Sequence, residues 1–299
     1  MELILHCFGA STPSGEALRN LVGSDLVGYS RKSFAANGWL HFADLNDPAG
    51  FNPAGQPAAP AVWISFAPIW LLVPFLERLV THHPERLQGL RGLIACSSSS
   101  SVTKRFAANR FDRQLAARLT YAEDRMLAIC RELLVPCCIL RPTLIYGHVG
   151  TYGDHNISLL LHQLRRLPVL PLPAETGLRQ PIHASQLAAV ALHLAKQVTS
   201  TGLDPCRSER ISLGGDTTLT YTEMIIALQQ AQLSGDPARR CRLLPIPNRL
   251  FFLLAAPLLL RSPKAFEAVL RMGANLSGFT PVHQLLGSEP QPFPVFPLA

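Results

Sequence analysis

The sequence predicts an α/β fold: a doubly wound parallel sheet with helices on both faces, and a smaller, mostly helical lobe toward the C-terminus. Three observations predict it. Short apolar runs alternate with stretches of helical periodicity through the first half of the chain, the pattern of consecutive β-α-β units. The first run ends in a glycine-bounded turn, Gly9-Ala10-Ser11-Thr12-Pro13-Ser14-Gly15. After residue 150 the pattern loosens and prolines crowd between the helical segments.

In chain order, Leu3 to Phe8 reads as a buried strand and Glu16 to Val22 as the helix after the turn. Asp25 to Tyr29 and Leu40 to Ala43 are the second and third strands, and residues 48–60 form a Pro/Gly/Ala loop. Ala61 to Phe66 is a strand, Ile69 to Thr81 a helix, and Gly92 to Cys96 the fifth strand. A long helix from Asp112 to Leu134 leads to strand Cys137 to Leu140, closed by Arg141-Pro142. Beyond that, Pro168, Pro171 and Pro173 mark a loop, Ser185 to Gln197 and Thr222 to Leu233 are helices, and Ile211 to Leu213 is a last strand. The remainder reads as proline-punctuated helix with an irregular tail. The expected division is a core of residues 1–155, with 180–215 packing back onto it, and a lobe of 156–179 and 216–299.

The 299 residues are 48% hydrophobic and 16% charged, enough to bury a sizeable core. The net charge of +7 is dispersed, with no basic block of five or more. Such a balance suits anionic small molecules and leaves contact with an anionic membrane face open, while nucleic-acid binding is not expected. The seven cysteines are odd in number, form no C-x-x-C pair and sit mostly in apolar runs. They read as reduced, buried thiols of a cytoplasmic protein without a metal site. The apolar stretch Leu250 to Leu260 is eleven residues long, short of the roughly 20 that span a bilayer. A buried helix broken at Pro257 is expected there, with a membrane-resting helix as the alternative.

The first strand, turn and helix form the dinucleotide-binding unit of a Rossmann-type fold. Gly9 permits the tight turn, Gly15 allows close helix–strand packing, and the helix N-terminus offers free N–H groups to a pyrophosphate. Thr12 replaces the usual middle glycine, while Ser11, Thr12 and Ser14 add hydroxyls around Pro13. At the end of the second strand, Ser30-Arg31-Lys32 stands where an NAD site carries a carboxylate. A hydroxyl and two cations suit a 2′-phosphate, so NADP(H) is favoured over NAD(H). Asp44-Leu45 is placed to meet the adenine edge, unless Asp44 only caps a turn.

From these residues onward the chain resembles the extended short-chain dehydrogenase/reductases of the NAD(P)-dependent epimerase/dehydratase family. The segments that carry the likeness are Ile64-Ser65-Phe66-Ala67-Pro68, the Ser97-Ser98-Ser99-Ser100-Ser101 run, Leu140-Arg141-Pro142-Thr143 with Tyr146-Gly147, and Gly177-Leu178-Arg179-Gln180-Pro181-Ile182-His183. Ser101-Val102-Thr103-Lys104, Asp154-His155-Asn156-Ile157 and Arg271-Met272 look like an atypical bacterial branch, the epimerase-like proteins of polysaccharide gene clusters. The resemblance implies that Phe66, Ala67, Pro68, Ser97, Pro142 and Thr143 line the cofactor. It also implies that Ser99, Tyr146, Asn156, Arg179 and His183 face a small-molecule substrate such as a nucleotide sugar.

The family's chemistry needs Tyr-x-x-x-Lys on the helix after strand five, where the lysine lowers the tyrosine pKa. None of the five tyrosines has a lysine four residues on. With Glu123 aligned to the family's helix glutamate, the two positions are Leu115 and Leu119. Tyr121 and Arg125 share a helix face and are the candidate substitute, with Ser99 as the expected substrate-positioning hydroxyl. Tyr146 and His183 are candidates for substrate contact or proton transfer. A hydrolase is excluded by the absence of G-x-S-x-G. The expectation is an NADP(H)-dependent, epimerase-like oxidoreductase with atypical catalytic residues; the alternative is a non-catalytic NADP(H)-binding sensor or assembly protein. The oligomeric state stays open, a homodimer included.

Overall fold

The computed structural model describes residues 4–31, 39–53, 59–199, 208–257, 260 and 262–296. At its centre lie β1 (Ile4–Phe8), β2 (Leu26–Ser30), β3 (Leu40–Phe42), β4 (Ala61–Ser65), β5 (Leu90–Cys96), β6 (Cys137–Pro142), β13 (Ser208–Gly214) and β16 (Thr280–Pro281). They form one sheet in the order β16-β13-β6-β5-β4-β1-β2-β3, and every pairing in it is parallel.

A sheet covered on both faces needs apolar side chains at consecutive positions. β5 and β6 supply them: Leu93 and Ala95, with Cys137 and Ile139, face one core, and Ile94 and Cys96, with Cys138 and Leu140, face the other. The first core is closed by α2 (Ile69–His82) and α4 (Arg110–Glu132). The second is closed by α1 (Pro13–Val22) and α6 (Ala184–Val198). α4 begins where the Asn109 side chain accepts a hydrogen bond from the Asp112 N–H at 2.8 Å, a helix cap. A short helix, α3 (Ser100–Thr103), precedes it. The six cysteines among the described residues are all buried, and none of them is in a disulfide.

A third apolar cluster forms the lobe, built from α5 (Asn156–Arg166), β10 (Val169–Pro173), α7 (Tyr221–Ala231) and β15 (Arg242–Ile246). Short pairs join it to the sheet: β7 (Ile145–Tyr146) with β12 (Ile182–His183), β8 (His148–Val149) with β9 (Tyr152–Gly153), and β11 (Leu178–Arg179) with β14 (Leu219–Thr220). α8 (Asn248–Ala255), α9 (Pro263–Leu270) and α10 (Val282–Leu286) follow.

Three features differ from the sequence-based expectation. The Pro168–Pro173 loop is a strand, β10, paired in parallel with β15. Proline is tolerated there because a two-stranded ribbon consists only of edges. The segment after residue 216 does not stay in the lobe: β16 joins the main sheet beside β13, and Val282 of α10 packs into the second core. The apolar helix around Leu250 is not buried, for α8 contains no buried residue. Its composition matches that of a core helix, but of its large apolar side chains Phe251 and Phe252 are half-covered while Leu250, Leu253 and Leu254 are exposed.

The turn after β1 sets the tightest packing requirement. A Cβ on Gly15 would lie 2.5 Å from the Ala10 carbonyl oxygen and 2.6 Å from its Cα. Replacing Gly15 by Ala is therefore expected to cost about 1–3 kcal/mol of stability. Gly235→Ala, where nothing lies within 4 Å, should stay within about 0.5 kcal/mol of the parent. Urea denaturation checks both.

Candidate functional site

β1 lies between β2 and β4, so the connections leaving β1 and β4 diverge to opposite sides. Such a switch point opens a crevice beyond the carboxyl ends of the strands. Here it holds two adjoining cavities of about 200 and 320 Å³ that share Thr12, Phe66, Ala67 and Pro68 as walls.

The floor is the β1–α1 turn. Gly9 has φ +74°, and a Cβ there would meet the Ala67 nitrogen at 2.6 Å; only glycine combines that backbone with that clearance. Thr12 closes the turn. Its hydroxyl donates to the Gly9 carbonyl at 2.8 Å and accepts from the Gly15 N–H at 3.1 Å, which makes it the N-cap of α1 with Pro13 following. The Thr12 hydroxyl is thus consumed in holding the loop, a correction to its expected role as a free donor. The Ser11 hydroxyl lies 2.8 Å from that of Ser30, which ties the turn to the end of β2. What the turn presents outward is the N-terminal end of a ten-residue helix, with its partial positive charge.

The 200 Å³ cavity brings together Gly9, Ser11, Thr12, Ser30, Arg31, Asp44, Leu45, Phe66, Ala67 and Pro68. Lys32 lies outside the described residues. Asp44 lines the cavity and also caps a turn, accepting from the Asn46 N–H at 2.9 Å and its side-chain amide at 3.0 Å. The turn-capping reading of Asp44 is thus observed. Asn46, which sequence reasoning passed over, lines the same wall.

The 320 Å³ cavity is lined by Pro13, Ser14, Ser97 and Asn156 from the expected set, and by Ser98, Leu119, Asp154 and His155 in addition. Leu119 is the position aligned with the family's lysine, and it is 1% exposed. An apolar side chain thus fills a wall where a cation would stand. The Ser97 hydroxyl donates to Glu123 Oε1 at 2.5 Å. Glu123 is fully buried and accepts from Arg141 Nε at 3.0 Å, so a charged pair is locked beneath the serine run. Asp154 accepts from the Ile157 N–H at 2.6 Å and the Gly147 N–H at 3.1 Å. It starts α5 and leaves His155 and Asn156 exposed at the cavity edge. The signal for Asp154 and His155 lay in the Asp-His-Asn-Ile run, of which only the asparagine was singled out.

Several expected site residues are placed elsewhere. Ser99 lines neither cavity; its N–H donates to the Pro142 carbonyl. Pro142 ends β6 and the Thr143 hydroxyl donates to the Gln180 carbonyl; neither lines the two cavities. Tyr121 is 66% exposed and lines a separate outer groove. Arg125 pairs with Glu77 at 2.8 Å, whose hydrogen bond raises the arginine pKa; its charge is committed away from the crevice. His183 is fully buried and caps α6, its Nδ1 accepting from the Ser185 N–H at 3.2 Å. Arg179 is 8% exposed and donates to the carbonyls of Leu178, Ala274 and Arg271, fastening the C-terminal segment. Tyr146 is 1% exposed, and its hydroxyl accepts from the Val295 N–H at 2.8 Å. Burial pushes its pKa up, the wrong direction for an acid–base tyrosine at neutral pH.

No family model matches this chain, and no curated protein matches it. Solved structures do. The human epimerase family protein SDR39U1 with NADPH superposes with a TM-score of 0.62 at 13% identity, covering 98% of this chain and 96% of that one. A UDP-galactose 4-epimerase gives 0.60 at 15%, covering 97% and 93%. A nucleoside-diphosphate-sugar epimerase from Staphylococcus aureus gives 0.60 at 16%, covering 97% of each. The chain has the fold of these proteins from end to end.

The placement of Tyr146 is open to test. Tyr146→Phe removes the acceptor for Val295 and should cost about 1 kcal/mol in urea denaturation, while any ligand-induced rise in melting temperature stays unchanged.

Proposed function

We propose that this chain is an epimerase/dehydratase-like oxidoreductase that binds NADP(H) and acts on a nucleotide-linked sugar or a small carbonyl compound. The observation that carries the reading is the crevice at the β1/β4 switch point, with a glycine turn at its floor and no carboxylate at the end of β2. SDR39U1 was solved with NADPH, which agrees with that end of the site. Six buried cysteines outside any disulfide suit a reducing, cytoplasmic setting.

In this reading the α1 N-terminus, through Ser14 and its neighbours, receives the pyrophosphate. Ser30 and Arg31 receive the 2′-phosphate, and Asp44, Leu45 and Asn46 border the adenine. Phe66, Ala67 and Pro68 wall the dinucleotide between the two cavities. When bound, the nicotinamide supplies reversible hydride transfer. Leu119 leaves no lysine to lower a tyrosine pKa, so proton exchange falls to polar groups at the mouth of the larger cavity. His155 lines it and carries an imidazole that can donate or accept a proton, while Asn156 and Ser98 orient the substrate oxygen. The residues of the lobe, 156–179 and much of 216–279, shape the substrate side.

Saturating NADPH is expected to stabilise the protein by about 2.7 kcal/mol at a hundred times its Kd, read as a rise in melting temperature. NADH should give less, and Arg31→Glu should abolish the NADPH effect. Absence of any rise with either dinucleotide refutes the binding site itself.

Turnover is tested by following NADPH absorbance with a panel of nucleotide-linked keto-sugars and small carbonyl compounds. His155→Gln is expected to lower kcat by about 100-fold or more while leaving the NADPH-induced shift intact. A variant that turns over at the parent rate assigns proton exchange to another group.

A further inference from the structure

We infer that the Leu250-Leu253-Leu254 face of α8 docks on the surface of an anionic lipid bilayer. A surface helix ordinarily turns its apolar stripe toward the core. α8 does the reverse. Leu250, Leu253 and Leu254 are 48, 69 and 64% exposed, and Pro257 is exposed one turn on. These positions are spaced i, i+3, i+4 and i+7, so they form one continuous face. The opposite side holds Phe251 and Phe252, whose rings meet edge-on at 5.7 Å and are half-covered.

The neighbouring ribbon extends the same chemistry. α8 is fixed to the end of β10, where the Asn248 side chain accepts from the Glu175 N–H at 3.0 Å. In the β10–β15 register Val169 lies opposite Arg242 and Pro171 opposite Leu244. Val169 and Leu244 are 40 and 51% exposed, so the same face of the ribbon carries exposed apolar side chains together with the exposed Arg242.

The charges beside this surface select its occupant. Arg239, Arg240, Arg242 and Arg249 are all exposed, and among the described residues none of the four is in an ion pair. The carboxylates on the adjoining elements are Glu175, Asp236, which Arg165 holds at 3.0 Å, and Glu267, which lies 3.8 Å from Arg271. A second copy of this chain is disfavoured twice over. A two-fold contact would set these arginines against their own counterparts, and the α8 stripe is far smaller than the roughly 20–30 residues a side of a stable interface. A bilayer surface rich in anionic headgroups answers both features at once: the leucines enter the headgroup–acyl boundary and the arginines meet the phosphates. No helix among the described residues is long and apolar enough to cross a membrane, so the contact is peripheral.

The test is co-sedimentation of the full chain with vesicles of phosphatidylglycerol and, separately, of phosphatidylcholine. Binding to phosphatidylglycerol is expected, about tenfold or more weaker on phosphatidylcholine. The double variant Leu253→Gln/Leu254→Gln should lose at least about tenfold in vesicle affinity, and Arg242→Glu/Arg249→Glu should remove the preference for the anionic lipid. These side chains are exposed, so circular dichroism and melting temperature should match the parent and separate lost docking from lost folding. Failure of the parent to sediment with phosphatidylglycerol vesicles overturns the inference, as does unchanged binding by the leucine variant. Sedimentation equilibrium supplies the third arm: a parent dimer that the leucine variant converts to monomer would make a second copy, not a bilayer, the occupant.

Discussion

Everything at the crevice depends on how closely the β1–α1 turn approaches its surroundings. At Gly9 the backbone passes so near the chain leaving β4 that a Cβ would overlap the Ala67 nitrogen. At Gly15 the first turn of α1 rests directly on the Ala10 backbone. Between them Thr12 spends its hydroxyl on both ends of the loop. The middle glycine of the familiar pattern lets a phosphate approach the backbone; here a threonine trades some of that openness for a side-chain clamp. The same clamp fixes Ser11, and through it Ser30, so the turn and the end of β2 form one rigid rim.

The second cavity follows a different logic. Its deep wall is apolar at Leu119, and the nearest buried charges, Glu123 and Arg141, are spent on each other and on Ser97. Pairing a fully buried carboxylate in this way avoids the large penalty of an isolated buried charge. It also ties the serine run to α4, since Glu123 accepts from both the Ser97 hydroxyl and Arg141. The α5 side of this cavity is polar, with Asp154, His155 and Asn156 lining it, while α4 contributes the apolar Leu119.

The central sheet was legible because its strands are buried on both faces and therefore read as unbroken apolar runs between turn residues. The glycine turn was legible because its constraint is local. What sequence misjudged depends on distant partners. Tyr146 looked available until the chain returned 149 residues later to donate to its hydroxyl. Arg179 looked like an anion ligand, but carbonyls some 92–95 residues onward surround it. His183 sits at a helix start and is consumed as a cap. The proline-rich ribbon and the exposed α8 failed for a related reason: composition gives a segment's chemistry, while pairing and burial are decided by whatever packs beside it.

That division explains how the lobe is attached. Asp216, with its side chain 2% exposed, accepts from the Gln186 side chain at 3.2 Å, from the His283 N–H at 2.8 Å and from the Gln291 N–H at 3.0 Å. One carboxylate therefore joins α6 of the core, α10 and the tail. Gln180 makes a second clasp, donating to the carbonyls of Gly215 and Phe279 and accepting from the Phe279 N–H. With these side chains holding the C-terminal return, Arg179 and Tyr146 are drawn into fastening the C-terminal segment, while His183 caps α6. The binding half of the crevice is written in one short turn. The 320 Å³ cavity is assembled from segments far apart in sequence, with the Asp154–Asn156 edge at its mouth.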